Sequence, residues 1–413
     1  MLKRRWKSVI ALGLSVTMMA AASGSVLAAN GINTGTTAKD VKLTKKVKML
    51  DDSMDVPNPD GAAGYEFVFE PGAVLDSTTA EVSPDLVNTA HINNKFIITF
   101  GSSDAKVLDT NDNYYYATKE SAAILAETVF PHAGVYSYTV TETAGTTAVG
   151  TNGTITYSQA EYVMTVYVKN DDGLTGATVI DSVTFLRTKD DNGTPITADL
   201  GDPLKPGAKG EKADPVFING YTEITGLEIS KKVTGTYADL KKDFGFSLTL
   251  SNPANAADNT VYKAYVYDDV NNVPVSPEIT KSFTVGTADD FVLKANQSLR
   301  FVDDAGEVIL PVGIKYTLTE GANANYAPAY AVTTGGNAGP TGSANKNNSL
   351  TIGNPDLVII EKGVNKAAWT NNYVDPPTPT GIVMDNLPFI MLILVAVGGF
   401  AGYIISKRRK AGK

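Results

Sequence analysis

The chain has 413 residues, a formal net charge of −9 at pH 7, no cysteine and two histidines. The lack of cysteine excludes disulfides and thiol nucleophiles, and the acidic balance argues against nucleic acid or anionic lipid as a partner. His91 and His132 lie in no recognisable motif, and no phosphate-binding loop occurs. The acidic residues at 51–52 and 190–191 lack the spacing of a calcium loop. We therefore expect no cofactor, no metal and no enzyme that acts on a diffusible substrate.

The N-terminus has the layout of a secretory signal peptide. Four basic residues between positions 3 and 7 precede an apolar stretch over residues 9–22. Small residues at 26–28 then offer a cleavage site. We predict that residues 1–28 are a signal peptide and that the protein is exported. A retained signal anchor is the alternative.

The region that follows reads as β-structure. Short alternating runs rich in Val, Ile, Thr, Tyr and Phe are separated by Gly, Pro, Asn and Asp, which is typical of strands joined by turns. The stretch 118–128 indicates a short helix. The pattern favours an all-β protein made of β-sandwiches. The clearest predicted strands lie at residues 65–69, 95–100, 135–140, 162–168 and 316–318.

Short sequence blocks recur in the same order in two halves of the chain, which is the mark of an internal repeat. They predict two homologous domains, at 29–220 and 221–374, joined near Gly220. The first domain is longer, and its extra residues are expected in loops. The matching blocks are 43–47 with 229–233, 65–69 with 244–248, 133–142 with 312–320, and 217–219 with 369–371.

Polar residues fall on the apolar face of strands in the first half. Alternate residues of a strand share a face, so Lys45 lies on the same side as Leu43 and Val47. Glu142 ends a strand whose inward side is otherwise Tyr and Val, and Asn219 shares a face with an inward Phe. Lysine and glutamate are almost never fully buried unless they are paired. The pattern therefore predicts a buried Lys–Glu–Asn set.

The second half repeats this pattern. Lys231 and Glu320 hold the matching positions, and Asn371 lies two residues after a Trp in the last block. The asparagine is open to alternatives. Asn372 adjoins Asn371, and residues 350–354, which end in Asn354, also read as a terminal strand.

Such a set can form an isopeptide bond. Burial disfavours charge, so it lowers the pKa of lysine and raises that of glutamate. A neutral amine is a nucleophile, and a protonated glutamate is expected to hydrogen-bond the asparagine carbonyl and to carry protons as ammonia leaves. Such bonds would replace disulfides. The predicted bonds and their promoting acids are Lys45–Asn219 with Glu142 and Lys231–Asn371 with Glu320.

The C-terminus combines an apolar run with a short motif. Residues 387–405 carry no charge and are long enough to cross a hydrocarbon core of about 30 Å, and basic residues follow at 407–410. The preceding Pro-Thr-Gly resembles the cell-wall sorting signal of Gram-positive bacteria, in which a sortase cuts between Thr380 and Gly381. The stretch 375–381 departs from the usual Leu-Pro-x-Thr-Gly and is closer to the variant of some pilins. Residues 382–413 are then a transmembrane helix and basic tail that the sortase removes. A simple tail anchor is the alternative.

These features together resemble the two-domain backbone pilins of streptococci and their relatives, over nearly the whole mature chain. The resemblance implies two tandem Ig-like β-sandwich domains of the collagen-adhesin B type. It implies a shaft subunit of a covalent pilus, without a cofactor. The implied partners are a pilin-type sortase, further copies of the chain, accessory pilins and peptidoglycan. A monomeric wall-anchored adhesin or an accessory pilin on the same scaffold is the alternative.

In that family the lysine that links subunits lies just ahead of the last strand of the first domain. Lys212 holds that place here, in a stretch that Gly and Pro keep open. Lys205 and Lys209 are close alternatives. The resemblance implies that the carboxyl group of Thr380 is joined to Lys212 of the next subunit.

Overall fold

The computed structural model describes most of the region between the predicted signal peptide and the predicted sorting motif. The described residues are 32–59, 64–71, 95–101, 103–130, 133–145, 153–173, 176–198, 209–354, 356–374, 389, 391–397, 399–400 and 407. The predicted signal peptide, both histidines, Lys205 and the pair Thr380 and Gly381 lie outside them.

Within these stretches the chain is all-β, as predicted, apart from a 3-10 helix at Gly35–Asp40 and helical residues beyond position 388. The strands of the first half are β1 (Ile32–Thr34), β2 (Thr44–Met49), β3 (Tyr65–Pro71), β4 (Lys95–Ile98), β5 (Lys106–Asp109), β6 (Tyr114–Glu120), β7 (Gly134–Thr143), β8 (Gly153–Thr156), β9 (Glu161–Asn170), β10 (Thr178–Lys189), β11 (Glu211–Lys212) and β12 (Val216–Thr225).

The second half contributes the remaining strands. They are β13 (Glu228–Thr234), β14 (Phe244–Ser251), β15 (Val261–Asp268), β16 (Val273–Pro274), β17 (Thr280–Thr284), β18 (Ala288–Leu293), β19 (Gln297–Arg300), β20 (Leu310–Pro311), β21 (Lys315–Glu320), β22 (Tyr326–Thr334), β23 (Asn337–Ser343), β24 (Leu350–Ile352), β25 (Val358–Ile359) and β26 (Lys366–Tyr373). Residues 391–397 are helical, and no helix in the described stretches has both the length and the apolar character to span a bilayer.

The described strands form four sheets, two in each half. The first has the order β1-β10-β9-β7-β3-β4, with β11 also on β10, and the second has the order β20-β12-β2-β6-β5, with β8 on β12. The third runs β16-β15-β19-β13-β26-β22-β23, with β17 on β15, and the fourth runs β18-β14-β21-β24, with β25 on β21. In each half the first long strand lies beside the last one and runs parallel to it, as β2 with β12 and β13 with β26.

Alternating side chains build a separate core in each half. Strand β2 buries every second residue, and its inward side chains pack with rings such as Phe67 and Phe217 from β3 and β12. The second core is built in the same way around Phe246 and Trp369. Full burial of a large apolar side chain stabilises the fold by roughly 1.5–3 kcal/mol, so these inward rings hold the two sheets of each half together.

The two halves meet where β12 ends. This strand continues past the predicted joint at Gly220, and its last residues pair with β20 of the second half. Val312 follows β20 and packs into the first core. Nearby, Lys362 Nζ forms ion pairs with Asp55 at 3.1 Å and with Glu223 at 3.3 Å. The first core extends to Tyr221 in this strand and the second begins at Leu227.

The predicted helix over residues 118–128 is wrong. Residues 118–120 complete β6, and the remainder forms bends and turns. The backbone N–H groups of Ser121 and Ile124 donate to the carbonyls of Leu43 and Val41 at 2.9 and 2.8 Å. These donors are used for contacts with the segment just before β2, so they cannot close helical turns.

Candidate isopeptide sites

In the first half, the parallel pairing of β2 and β12 places a lysine and an asparagine on one sheet face. Lys45 lies opposite Phe217, and Asn219 lies opposite Val47. Two residues along a strand restore the same face, so both polar side chains point into the core with the apolar ones. Lys45 and Asn219 have no solvent exposure.

The second half has the same register. Lys231 lies opposite Trp369, and Asn371 lies opposite Val233. Lys231 is 2% exposed and Asn371 is fully buried. The positions that the sequence repeats matched are therefore matched in strand pairing as well.

A glutamate approaches each pair from the opposite sheet. Glu142 lies near the end of β7, opposite Phe67 of β3. Glu320 ends β21, opposite Phe246 of β14. Both carboxylates lie in the interior, since their side chains have no exposed area.

The first site connects all three predicted residues through short hydrogen bonds. Lys45 Nζ lies 2.7 Å from Glu142 Oε2, and Asn219 Nδ2 donates to Glu142 Oε1 at 2.7 Å. The carbonyl Oδ1 of Asn219 accepts a hydrogen bond of 2.6 Å from the backbone N–H of Ser158. The carboxylate thus bridges the amine and the amide nitrogen, and the amide oxygen has a separate donor.

The second site has the same bridge with a different periphery. Lys231 Nζ lies 2.8 and 2.9 Å from the two carboxylate oxygens of Glu320. Asn371 Nδ2 donates to Glu320 Oε1 at 2.6 Å. Within the described part of the chain, the buried Oδ1 of Asn371 has no hydrogen-bond partner.

Burial shifts the pKa values of both ion pairs so that the neutral forms of lysine and glutamate become more favourable. Desolvation lowers the pKa of Lys45 to about 8, although the attraction of Glu142 opposes it, and the pKa of Lys231 falls to about 8 for the same reason. Desolvation also raises the pKa of Glu142 and of Glu320 above the ordinary glutamate value, against the pull of the paired lysine. Transfer of a proton from lysine to glutamate therefore costs much less than it would in water.

Aromatic rings line both amines and keep water away. Lys45 Nζ lies 4.7 Å from the ring centre of Tyr65, and Lys231 Nζ lies 4.4 Å from that of Phe244 and 5.3 Å from that of Phe246. A ring face partly stabilises an ammonium group. The rings thus allow the cation to be buried before any reaction, while their low polarity favours the neutral amine.

One detail differs from the sequence-based expectation. Glutamate was expected to bind the asparagine carbonyl, but in both sites it accepts from the amide nitrogen. In the first site the reason is the backbone N–H of Ser158, which can only donate and therefore faces the carbonyl oxygen of Asn219. Sequence reasoning missed Ser158, because every residue except proline supplies such a donor.

The alternative asparagines lie away from the second site. Asn372 is exposed, and its Oδ1 accepts from Thr234 Oγ1 at 3.1 Å. Asn354 is also exposed, and it follows strand β24, which pairs with β21 and not with β13. In the described part of the chain, neither side chain is hydrogen-bonded to Lys231.

The predicted linking lysine is at the surface. Lys212 lies in β11, is exposed and is opposite Leu186 of β10. Lys209 is exposed as well. Of the acidic clusters noted in the sequence, Asp190 serves a turn, because its Oδ1 accepts from the backbone N–H groups of Asn192 and Thr194 at 2.9 and 2.8 Å. The described residues contain no group of three metal-ligating side chains that could hold an ion.

Comparison with known proteins shows similarity to an isopeptide-containing domain family and to a pilin. Residues 41–222 match the family described as "Spy0128-like isopeptide containing domain", and residues 225–355 match a domain of unknown function, DUF7601. A protein named "Pilin" from Streptococcus pyogenes serotype M1 is 26% identical over 396 residues, which cover 95% of this chain and 98% of the relative. The predicted resemblance to streptococcal pilins is therefore confirmed.

Solved structures of similar proteins include pilus components. The major pilin from Streptococcus pyogenes is 21% identical, with 81% of this chain and 98% of that chain covered and a TM-score of 0.33. A pilus-presented adhesin is 18% identical, with 50% of this chain and 39% of that chain covered and a TM-score of 0.24. These TM-scores are low, and the similarity to pilins is carried by the sequence matches.

Proposed function

We propose that this protein is the shaft subunit of a covalent pilus on a Gram-positive cell surface, and that each of its two β-sandwich domains, 29–220 and 221–374, is closed by an internal isopeptide bond. The observation that carries the proposal is the buried Lys–Glu–Asn set, which recurs with the same strand register in both halves. Likeness to a pilin over nearly the whole chain supports the assembly role.

The geometry of the first site supports the following bond-forming step. Lys45 passes a proton to Glu142, and the neutral amine adds to Cγ of Asn219. Glu142 then gives its proton to Nδ2 and takes one from Nζ. The Cγ–Nδ2 bond breaks and ammonia leaves. The products are one Lys45–Asn219 amide, one ammonia and a protonated Glu142, so atoms and charge balance. Lys231, Glu320 and Asn371 repeat the step in the second domain.

The rigid core holds the reacting groups in place, so no separate enzyme is needed for the bond to form. Amide exchange between lysine and asparagine is slow in water, but groups held in reacting geometry can gain an effective concentration of about 10⁵ M or more. Each molecule reacts once per site, so the protein is no enzyme in the ordinary sense. It acts as a substrate for a pilin-type sortase.

Each bond would join neighbouring parallel strands at the start and end of a domain. Because β2 and β12 lie side by side, a cross-link between them closes most of the first domain into one loop. The second bond does the same through β13 and β26. Tension along a filament then passes from the first strand to the last through an amide that no cellular thiol can reduce.

Assembly requires an amine on one subunit and an acyl group on the next. The exposed Lys212 would be the amine, and Thr380, after cleavage before Gly381, would be the acyl donor. A heterologous contact of this kind repeats without closure and gives a filament. Accessory pilins or peptidoglycan would end the filament by the same chemistry.

The assembly role is tested by expressing the full chain in a Gram-positive host together with a pilin-type sortase. We expect a ladder of covalent polymers that survives boiling in detergent. Thr380→Ala and Lys212→Arg should each abolish the ladder, whereas Lys209→Arg, the matched control, should leave it intact. Wall-linked monomer without a ladder would contradict the shaft role and favour a wall-anchored adhesin.

A further inference from the structure

The backbone N–H of Ser158 occupies a position where negative charge develops during the proposed reaction. Ser158 lies between β8 and β9, and its N–H donates to Oδ1 of Asn219 at 2.6 Å. When an amine adds to Cγ, the carbonyl electrons move onto Oδ1, and an oxyanion forms at this atom. A donor already aimed at that atom stabilises the intermediate without further reorganisation.

A side-chain network holds this donor against strand β12. Asp191 Oδ1 accepts from Ser158 Oγ at 2.6 Å and from the backbone N–H of Ile218, the residue before Asn219, at 2.8 Å. Asp191 Oδ2 accepts from Arg187 Nη2 at 2.6 Å. One carboxylate thus ties the segment that carries the donor to the strand that carries the reacting amide.

The backbone of the same aspartate adds a further constraint. The carbonyl oxygen of Asp191 accepts from the N–H of Gln159 at 3.0 Å. Ser158 is 4% exposed, and its Oγ also accepts from the N–H of Ala160 at 3.1 Å. The segment is therefore fixed by both side-chain and main-chain bonds, which is what an oriented donor requires.

The second site lacks this arrangement. No donor within the described residues reaches Oδ1 of Asn371, although Glu320 bridges Lys231 and Asn371 as Glu142 bridges Lys45 and Asn219. The two sites in one molecule thus differ in one respect that bears directly on the reacting carbonyl.

We propose that the Ser158 backbone N–H is the oxyanion donor for the Lys45–Asn219 bond, and that Asp191 is the residue that positions it. The inference rests on the proposed isopeptide chemistry and applies to the first domain alone. Loss of one such donor typically slows acyl transfer by about 10²–10³-fold. We call the hydrogen bonds from Ser158 and Ile218 to Asp191 the Asp191 clamp. Removal of this clamp should strongly slow formation of the first bond and leave formation of the second bond unchanged.

The test measures both bonds in the same molecules. Residues 29–380 are synthesised in a cell-free reaction and quenched at intervals, and each bond is quantified from its cross-linked peptide by tandem mass spectrometry. The folded fraction is isolated first. The Lys231–Asn371 bond is the internal reference for folding and for the chemistry as such.

Two substitutions of Asp191 separate the effect of its hydrogen bonds from the effect of its negative charge. Asp191→Asn removes the charge but retains an acceptor oxygen for Ser158 and Ile218, whereas Asp191→Ala removes both. The clamp predicts that Asp191→Ala slows the first bond at least tenfold beyond Asp191→Asn. Equal rates in the two variants would mean that Asp191 acts only through its field on Lys45 and Glu142, and would overturn its positioning role.

Substitutions at the donor complete the design. Ser158→Pro removes the N–H and should slow the first bond by about 10²-fold, while Ser158→Ala keeps the N–H and should slow it less. Unchanged first-bond rates in folded Ser158→Pro and Asp191→Ala would overturn the inference and leave the isopeptide proposal standing. Absence of both bonds in the unsubstituted chain would instead overturn the isopeptide proposal.

Discussion

Glu320 holds Lys231 through both of its carboxylate oxygens, at 2.8 and 2.9 Å, in a core where neither side chain has exposed area. Such a pair is costly to bury and is therefore weak evidence for stability alone. Its recurrence between Lys45 and Glu142 supports the proposed reaction.

Removal of one partner of the second ion pair should be worse than removal of both. Lys231→Met prevents the bond and leaves Glu320 buried without its cation, and breaking a buried pair typically costs about 3–5 kcal/mol. The double variant Lys231→Met with Glu320→Gln also lacks the bond but leaves no buried charge. We expect the double variant to unfold at a higher urea concentration than the single one. If the two midpoints agree, the ion pair has no energetic role.

Loss of the first bond should weaken the first domain selectively. Glu142→Ala prevents the Lys45–Asn219 cross-link, and by analogy with disulfides the lost constraint is worth about 2–4 kcal/mol. It also leaves Lys45 buried without its anion, which destabilises the same domain further. We expect the first domain to unfold at a lower temperature in calorimetry and to be cleaved faster by trypsin. Glu70→Ala, on an exposed position of β3, is the control and should change neither. An unaltered first transition in Glu142→Ala would contradict the prediction.

Bond formation should depend on pH in a bell shape. The reaction needs a neutral Lys45 amine and a protonated Glu142 carboxyl at the same time. In this state the pair together holds one ionisable proton, so its titration belongs to the pair and not to either group alone. At low pH both groups are protonated and the amine is a cation. As pH rises through the lowered lysine pKa of about 8, the shared proton is lost and Glu142 can no longer protonate the leaving nitrogen. The initial rate of cross-linking should therefore fall above about pH 8. A rate that keeps rising to pH 10 would show that the acid is not needed.

The junction between the halves should be sensitive at Gly313. This residue has φ +99°, and a Cβ there would lie 2.5 Å from Cβ of Leu50. Gly313→Ala therefore adds a clash to backbone strain and should cost more than about 1–3 kcal/mol, the cost of strain alone. Gly306→Ala, at φ +85° with open space around the new atom, carries the strain without the clash. Chemical denaturation should rank Gly313→Ala as the less stable variant, and the reverse order would refute this reading of the junction.

Much of the candidate chemistry was visible in the sequence because strands have a period of two. Lys45 and Lys231 were found by their place on an apolar face, and both are buried. The choice between Asn371 and Asn354 was not decidable from that period. It depends on whether β24 pairs with β21 or with β13, and strand partners are set by contacts far apart in sequence.

Other features were out of reach for physical reasons. The proposed oxyanion donor is the backbone N–H of Ser158, and Asp191, the residue proposed to position it, lies 33 residues further along the chain in the turn after β10. The predicted helix over residues 118–128 failed because Ile124 donates to Val41. Both cases are long-range hydrogen bonds that local pattern does not encode.

Formation of the two bonds is tested by the intact mass of the recombinant chain from residue 29 to 380, beside its Glu142→Ala and Glu320→Ala variants. We expect a deficit of two ammonia masses, reduced to one by either substitution. Because Asn219 precedes Gly220, a succinimide would lose the same mass, so tandem spectra must show the Lys45–Asn219 and Lys231–Asn371 peptides joined. A chain at its full calculated mass, or a deficit without joined peptides, would contradict the account.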